Sequence, residues 1–248
     1  MRKKIIAGNW KMNKTPSEAA AFAGLLAEKL DKSGCDVVFC VPAVSIIPVA
    51  EAVKGTDIAV GAQNMYWQDS GAYTGELSAE MIRDAGTGYV IIGHSERREY
   101  FGETDSEVNK KVLKAIEKKL VPIICVGESL EDRWELKTVG LVRKQVGVAL
   151  KGVSANDAKN LVIAYEPVWA IGTGMTATSA QAEEVCKAIR GMVCELYGNE
   201  VAQAIRIQYG GSVNEKNASE LFSMPDIDGG LVGGASLKED FIKIVKYD

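Results

Sequence analysis

The chain has a single histidine among 248 residues, His94. One imidazole cannot build a multi-histidine metal centre, so it is either an ordinary hydrogen-bonded residue or an acid/base group. Cysteine is sparse as well: Cys35, Cys40, Cys125, Cys186 and Cys194 are odd in number, and no CxxC occurs. Buried free thiols in a reducing compartment are the better reading than a disulfide framework, with Cys40 and Cys125 placed on strands. No stretch nears the ~20 apolar residues of a membrane helix, and the apolar segment behind Met1-Arg-Lys-Lys4 is too short for a signal peptide. A cytoplasmic protein without membrane contact is expected. Net charge of one strong sign is missing too. A formal charge of −4 argues against broad nucleic-acid binding, and an anionic substrate must be attracted by local groups.

What is present is core material in quantity, with 47% hydrophobic and 25% charged residues. Short apolar runs alternate with longer segments of helical period. Strands are expected near Lys4–Gly8, Val37–Val41, Ile58–Gln63, Tyr89–Gly93, Val121–Val126, Leu161–Tyr165, Ile205–Tyr209 and Gly229–Val232. Between them, Gln181–Tyr197 aligns Ala182, Val185, Ile189, Met192, Val193 and Leu196 on one face. Thr15-Pro-Ser-Glu18 combines a capping box with proline at the first helical position.

Eight such units over 248 residues leave about 31 residues each, the size of one strand, one helix and their loops. The pattern predicts a parallel sheet closed as a single (β/α)8 barrel over residues 1–248, with the active site at the C-terminal strand ends. An open doubly wound sheet is the alternative. It lacks support, because no GxGxxG follows the first strand and no linker divides the chain.

A barrel gathers on one rim whatever follows its strands. Here that is Asn9-Trp-Lys11, His94-Ser-Glu96, Glu166-Pro-Val-Trp169, Gly210-Gly-Ser212 and Gly233-Gly234. Taken singly, Lys11 reads as a surface lysine, Glu166 as a helix cap or arginine partner, and each glycine pair as a tight turn. Together they make a base, a cation, an imidazole and two turns whose backbone N–H groups could approach a phosphate. Such a set suits proton abstraction beside a carbonyl.

Ala7-Gly-Asn-Trp-Lys-Met-Asn13, Gly93-His-Ser-Glu-Arg-Arg98, Ala164-Tyr-Glu-Pro-Val-Trp-Ala-Ile-Gly-Thr-Gly174 and Tyr209-Gly-Gly-Ser-Val213 resemble the triosephosphate isomerase family, and the likeness runs on to Leu231-Val-Gly-Gly-Ala235. The resemblance implies interconversion of dihydroxyacetone phosphate and glyceraldehyde 3-phosphate through an enediol(ate), as in glycolysis and gluconeogenesis. It assigns Glu166 as the base, His94 as the electrophile and Lys11 as the charge-balancing cation. It assigns substrate binding to Asn9 and Lys11, and phosphate binding to Gly172, Ser212, Gly233 and Gly234. No metal or organic cofactor is implied. His94 is expected to work as a neutral ring at the start of a short helix beginning at Ser95.

Gly172-Thr-Gly174 reads either as a hinged lid or as the turn into the following helix. Met175 stands where the family often has lysine. The long segment Asn64–Leu77, with Tyr66, Trp67 and Tyr73, either packs on its own barrel or, as the resemblance implies, docks into a second copy of the chain, with Thr74 near the neighbour's site. A Schiff-base aldolase would want a lysine at a strand end, often the sixth, and that end reads Tyr165-Glu166. A non-catalytic phosphate-binding barrel would have no need of Lys11, His94 and Glu166 together.

Overall fold

The computed structural model describes residues 2–30, 32–171 and 175–247. Eight strands alternate with helices: β1 Ile5–Asn9, β2 Asp36–Val41, β3 Ala59–Ala62, β4 Tyr89–Ile92, β5 Val121–Val126, β6 Val162–Tyr165, β7 Arg206–Tyr209 and β8 Gly229–Val232. All pair in parallel and in sequence order, and β8 closes on β1 through Ile5↔Gly229 to Gly8↔Val232. The expected barrel is present, and the expected strands differ from the observed ones by one residue at several ends.

The period of two sorts side chains between the barrel lumen and the helical shell. Ile5, Ala7, Val38, Cys40, Ile91, Ile123, Cys125, Val162, Ala164 and Leu231 fill the lumen as one apolar cluster. Their alternates, such as Ile6, Phe39, Val90, Ile124, Ile163 and Ile207, pack outward under the helices. Cys40 and Cys125 are thus buried free thiols, as expected. Gln208 is the polar exception inside, and its amide donates to Ile5 O and Gly230 O at 3.1 and 3.2 Å. It ties β7, β8 and β1 together where Tyr209↔Gly230 is the sole register pair between β7 and β8.

The helix Pro16–Leu30 starts on the predicted capping box, with Thr15 N–H donating to Glu18 Oε2 at 2.9 Å. The helix Ser179–Tyr197 buries Ala182, Val185, Ile189 and Val193 as its period predicts. Met192 is partly buried against the core, and Leu196, next to the last residue of the helix, is 44% exposed. Among the described residues, no helix is long and apolar enough to cross a membrane.

Candidate active site

The inward parity of three strands continues into the site. Ile5 and Ala7 are followed by Asn9, Val162 and Ala164 by Glu166, and Leu231 by Gly233, so each of these enters at the C-terminal mouth of the lumen. Trp10 turns outward and is buried against Phe22 and Phe39 at 5.7 and 5.6 Å between rings, which leaves Lys11 facing the mouth again. After β4 the parity shifts by one. Gly93 takes φ +75°, a conformation costly for other residues, and the turn delivers His94. One cleft of about 890 Å3 is lined by Asn9, Lys11, His94, Glu166, Ser212 and Gly233.

Glu166 is 2% exposed. Its Oε1 lies 2.9 Å from His94 Nε2, and its Oε2 accepts the Ser95 N–H at 3.0 Å. Ser95 opens the helix Ser95–Phe101, so that N–H is one of the unpaired donors of a helix start. Burial works against ionisation of Glu166. His94, the Ser95 N–H and the facing Cys125 thiol outweigh it and hold the carboxyl below its ordinary range. Glu166 is therefore a carboxylate at neutral pH.

His94 is the cap of the same helix, and its Nδ1 accepts the Glu96 N–H at 3.2 Å. A ring bonded in this way carries its proton on Nε2, toward Glu166. Burial lowers the pKa of the ring, but the adjacent Glu166 carboxylate more than offsets this and lifts it above the ordinary histidine value. The expected helix start at Ser95 is thus present. The expectation of a depressed His94 pKa is corrected for the arrangement with Glu166 docked on the ring, because the carboxylate supplies a charge the sequence argument left out.

Lys11 adopts φ +51°, a rare backbone state for a residue with a side chain. Both sides of it are held: Asn9 Oδ1 accepts the Lys11 N–H at 3.2 Å, and Gln63 Nε2 donates to Lys11 O at 3.0 Å. The Lys11 ammonium pairs with Glu96 Oε1 at 2.5 Å. Lys11 and His94 therefore share Glu96 as a neighbour, with His94 Nδ1 3.7 Å from its Oε2.

The glycines on the rim have different physical reasons. A Cβ on Gly211 would lie 2.2 Å from Tyr209 Oη, so packing alone forbids a side chain there. A Cβ on Gly234 would meet nothing within 4 Å, and packing within the chain therefore gives no reason for that glycine. Gly233 and Gly234 begin the 3-10 turn Gly234–Leu237, and Ser212, after the neighbouring strand β7, is exposed in the same cleft. Gly172 and the Gly172–Gly174 segment lie outside the described residues.

Three participants were not singled out by the sequence reading. The Ser95 N–H anchors Glu166, Glu96 pairs with Lys11, and Glu128 is fully buried beneath the turn after β6. Glu128 Oε1 accepts from Tyr165 Oη at 3.0 Å and Trp169 Nε1 at 2.9 Å, and Arg133 lies 3.3 Å away. The helix start at Ser95 was a usable signal for the first of these. Nothing in the sequence marks Glu128, which is one acidic residue among 33.

The model of the family described as triosephosphate isomerase matches residues 4–248. The chain is 61% identical to the triosephosphate isomerase of Acetivibrio thermocellus over 248 residues, covering 100% of this chain and 99% of the relative. It is 56% identical to those of Thermoanaerobacter pseudethanolicus and Caldanaerobacter subterraneus subsp. tengcongensis, with both chains covered in full in each case. Matched from its first strand to its end, and at such identity, the chain belongs to the triosephosphate isomerase family.

Proposed function

We propose that this chain interconverts dihydroxyacetone phosphate and glyceraldehyde 3-phosphate by proton transfer between adjacent carbons, the isomerisation that serves glycolysis and gluconeogenesis. The observation that carries the reading is an ionised, buried carboxylate 2.9 Å from an imidazole Nε2 at the mouth of one cleft. Glu166 turns from His94 and Ser95 toward the substrate and takes the carbon-bound proton. His94 Nε2–H then donates to the substrate oxygen and moves protons between the two oxygens, while Lys11 balances the enediolate charge. The substrate oxygen replaces the carboxylate that raised the His94 pKa. Burial and the nearby Lys11 cation remain, and both favour the neutral ring.

Asn9 orients the substrate, and Ser212, Gly233 and Gly234 hold its phosphate, with Gly172 contributing from the lid. The absence of any packing reason for glycine at 234 supports this. Base and electrophile suffice for the chemistry, so no cofactor is part of the proposal. A positioned acid or base typically contributes about 10²–10⁴-fold, against the roughly 8–23 kcal/mol that enzymes supply, so base, electrophile and positioning must act together. The test is a coupled assay of triose phosphate interconversion run beside Glu166→Ala. The intact chain is expected to turn over and the variant to lose nearly all activity. Failure of the intact chain would overturn the reading.

The working form is a homodimer made through the loop 64–77. In that loop Tyr66 packs on Trp67 and Tyr73 at 4.0 and 4.6 Å between centroids, and Lys110 of the same barrel lies over the Trp67 ring at 5.1 Å. Beside Lys11 and His94 opens a second cavity of about 410 Å3, lined by Met12, Gln63, Met65, Arg97 and Phe101. Met12 and Phe101 are 96% and 69% exposed, a cost that a partner loop carrying Thr74 would remove. Sedimentation is expected to give a dimer, and dilution below its dissociation constant should lower specific activity. A fully active monomer would refute the need for assembly. The five free cysteines fit a cytoplasmic setting.

A further inference from the structure

The catalytic carboxylate rests on a turn that it does not itself belong to. Cys125-Val-Gly127-Glu128 spans the end of β5 and the turn after it, and the main chain of residue 166 crosses directly over it. A Cβ on Gly127 would lie 1.7 Å from Glu166 O, which leaves no room for a side chain between the two backbones. Glu166 N–H donates to Val126 O at 2.8 Å, and Val168 N–H donates to Glu128 O at 3.1 Å. The β5 turn is thus a template on which the β6 turn is laid.

At its glycine the template is clamped by a side chain of the helical shell. Gln145, on the helix Thr138–Ala149, is 8% exposed. Its Oε1 accepts the Gly127 N–H at 2.8 Å and its Nε2 donates to Gly127 O at 3.1 Å. The N–H and the C=O of one residue, which belong to two successive peptide units, are both satisfied by the two ends of one amide, so the clamp fixes both units about Gly127. Glycine at 127 cannot restrain its own dihedrals, so without the clamp the turn has the widest conformational freedom available to any residue.

We infer that Gln145 is a positioning residue for the reaction: through the Gly127 peptide it sets where the main chain, and hence the carboxylate, of Glu166 stands relative to His94 and the substrate. The inference rests on the reading of Glu166 as the base. It predicts an effect on turnover, because misplacement of a reacting group by a fraction of an ångström penalises the chemical step. Substrate affinity is set elsewhere, at Lys11 and the glycine turns after β7 and β8.

The variant Gln145→Met keeps the volume and removes both hydrogen bonds. It is expected to lower kcat at least tenfold with KM within about threefold, in the full-length protein. A second readout uses the fact that the chain has one histidine. The groups facing Glu166 are His94, the Ser95 N–H and Cys125, so a displaced carboxylate lengthens the contact to Nε2 and shifts the imidazole resonances in NMR. Glu166→Gln serves as the control. If that control stays active, the reading of Glu166 as base has failed. If the control is inactive while Gln145→Met keeps kcat within twofold and the resonances superimpose, the positioning role is overturned. Should Gln145→Met not fold, Gln145→Glu keeps the acceptor for Gly127 N–H and sets a second carboxylate oxygen against Gly127 O in place of the donor. It is expected to lower kcat severalfold, and an unchanged kcat there would equally overturn the inference.

Discussion

Glu166→Asp is expected to lower kcat by ~10²-fold or more, a loss of about 2.7 kcal/mol of transition-state stabilisation, with KM nearly unchanged. Removing one methylene withdraws the carboxylate by about 1 Å. In a looser protein the main chain would follow and restore the reach. Here it cannot: Glu166 N–H is bonded to Val126 O at 2.8 Å, and Gly127 lies directly beneath Glu166 O. The shortened carboxylate also gives up the 3.0 Å contact to Ser95 N–H and the 2.9 Å contact to His94, the groups that keep it ionised despite burial. Binding is expected to suffer little, because the proposed binding groups Lys11, Ser212, Gly233 and Gly234 stand on other turns of the rim. Steady-state kinetics in both reaction directions would measure it, and near-normal turnover would remove Glu166 from the role of base.

The fold was legible because its signal is periodic. Apolar runs of four to six residues, alternating with helical segments, locate all eight strands to within a residue or two. The strand-end residues were legible for a related reason: parity carries Asn9, Glu166 and Gly233 inward once the strands are placed. His94 was legible as a residue after β4, but not its entry into the cleft, because Gly93 breaks the parity with its positive φ. The charge of that histidine illustrates the limit. The helix start that favours a neutral ring can be read from Ser95, but the opposing carboxylate arrives from residue 166, 72 positions away in sequence, and only the closed barrel sets the two 2.9 Å apart. Gln145 and Glu128 were illegible for the same cause. Glu128 reaches the turn of the next unit and Gln145 reaches back 18 residues to the turn of its own, and nothing local distinguishes them from surface residues on amphipathic segments.

Asp228→Ala is expected to destabilise the protein by ~3–5 kcal/mol without altering KM. Asp228 lies at the start of β8, at the end of the barrel opposite the site, and is 2% exposed. Its Oδ2 accepts from Arg190 at 2.7 Å and from Ile207 N–H at 2.9 Å, and its Oδ1 accepts from Arg2 Nε at 2.6 Å. The main chain of the same residue bonds Ile5 N–H at 2.8 Å and Ile207 O at 2.6 Å, so one aspartate joins β7, β8 and β1. This is the seam with a single register pair between β7 and β8, where the ladder alone contributes least. Truncation leaves the Arg190 guanidinium buried with one carboxylate, Asp226, in place of two. For a domain of this size the cost corresponds to a fall in Tm of roughly 6–20 °C, measured at fixed protein concentration because assembly also shifts Tm. A loss below about 1 kcal/mol would show that the apolar lumen closes the barrel unaided. The double variant Arg190→Met, Asp228→Ala separates the two contributions: if the cost of the single change is mainly the stranded charge, removing that charge as well should recover part of the lost stability.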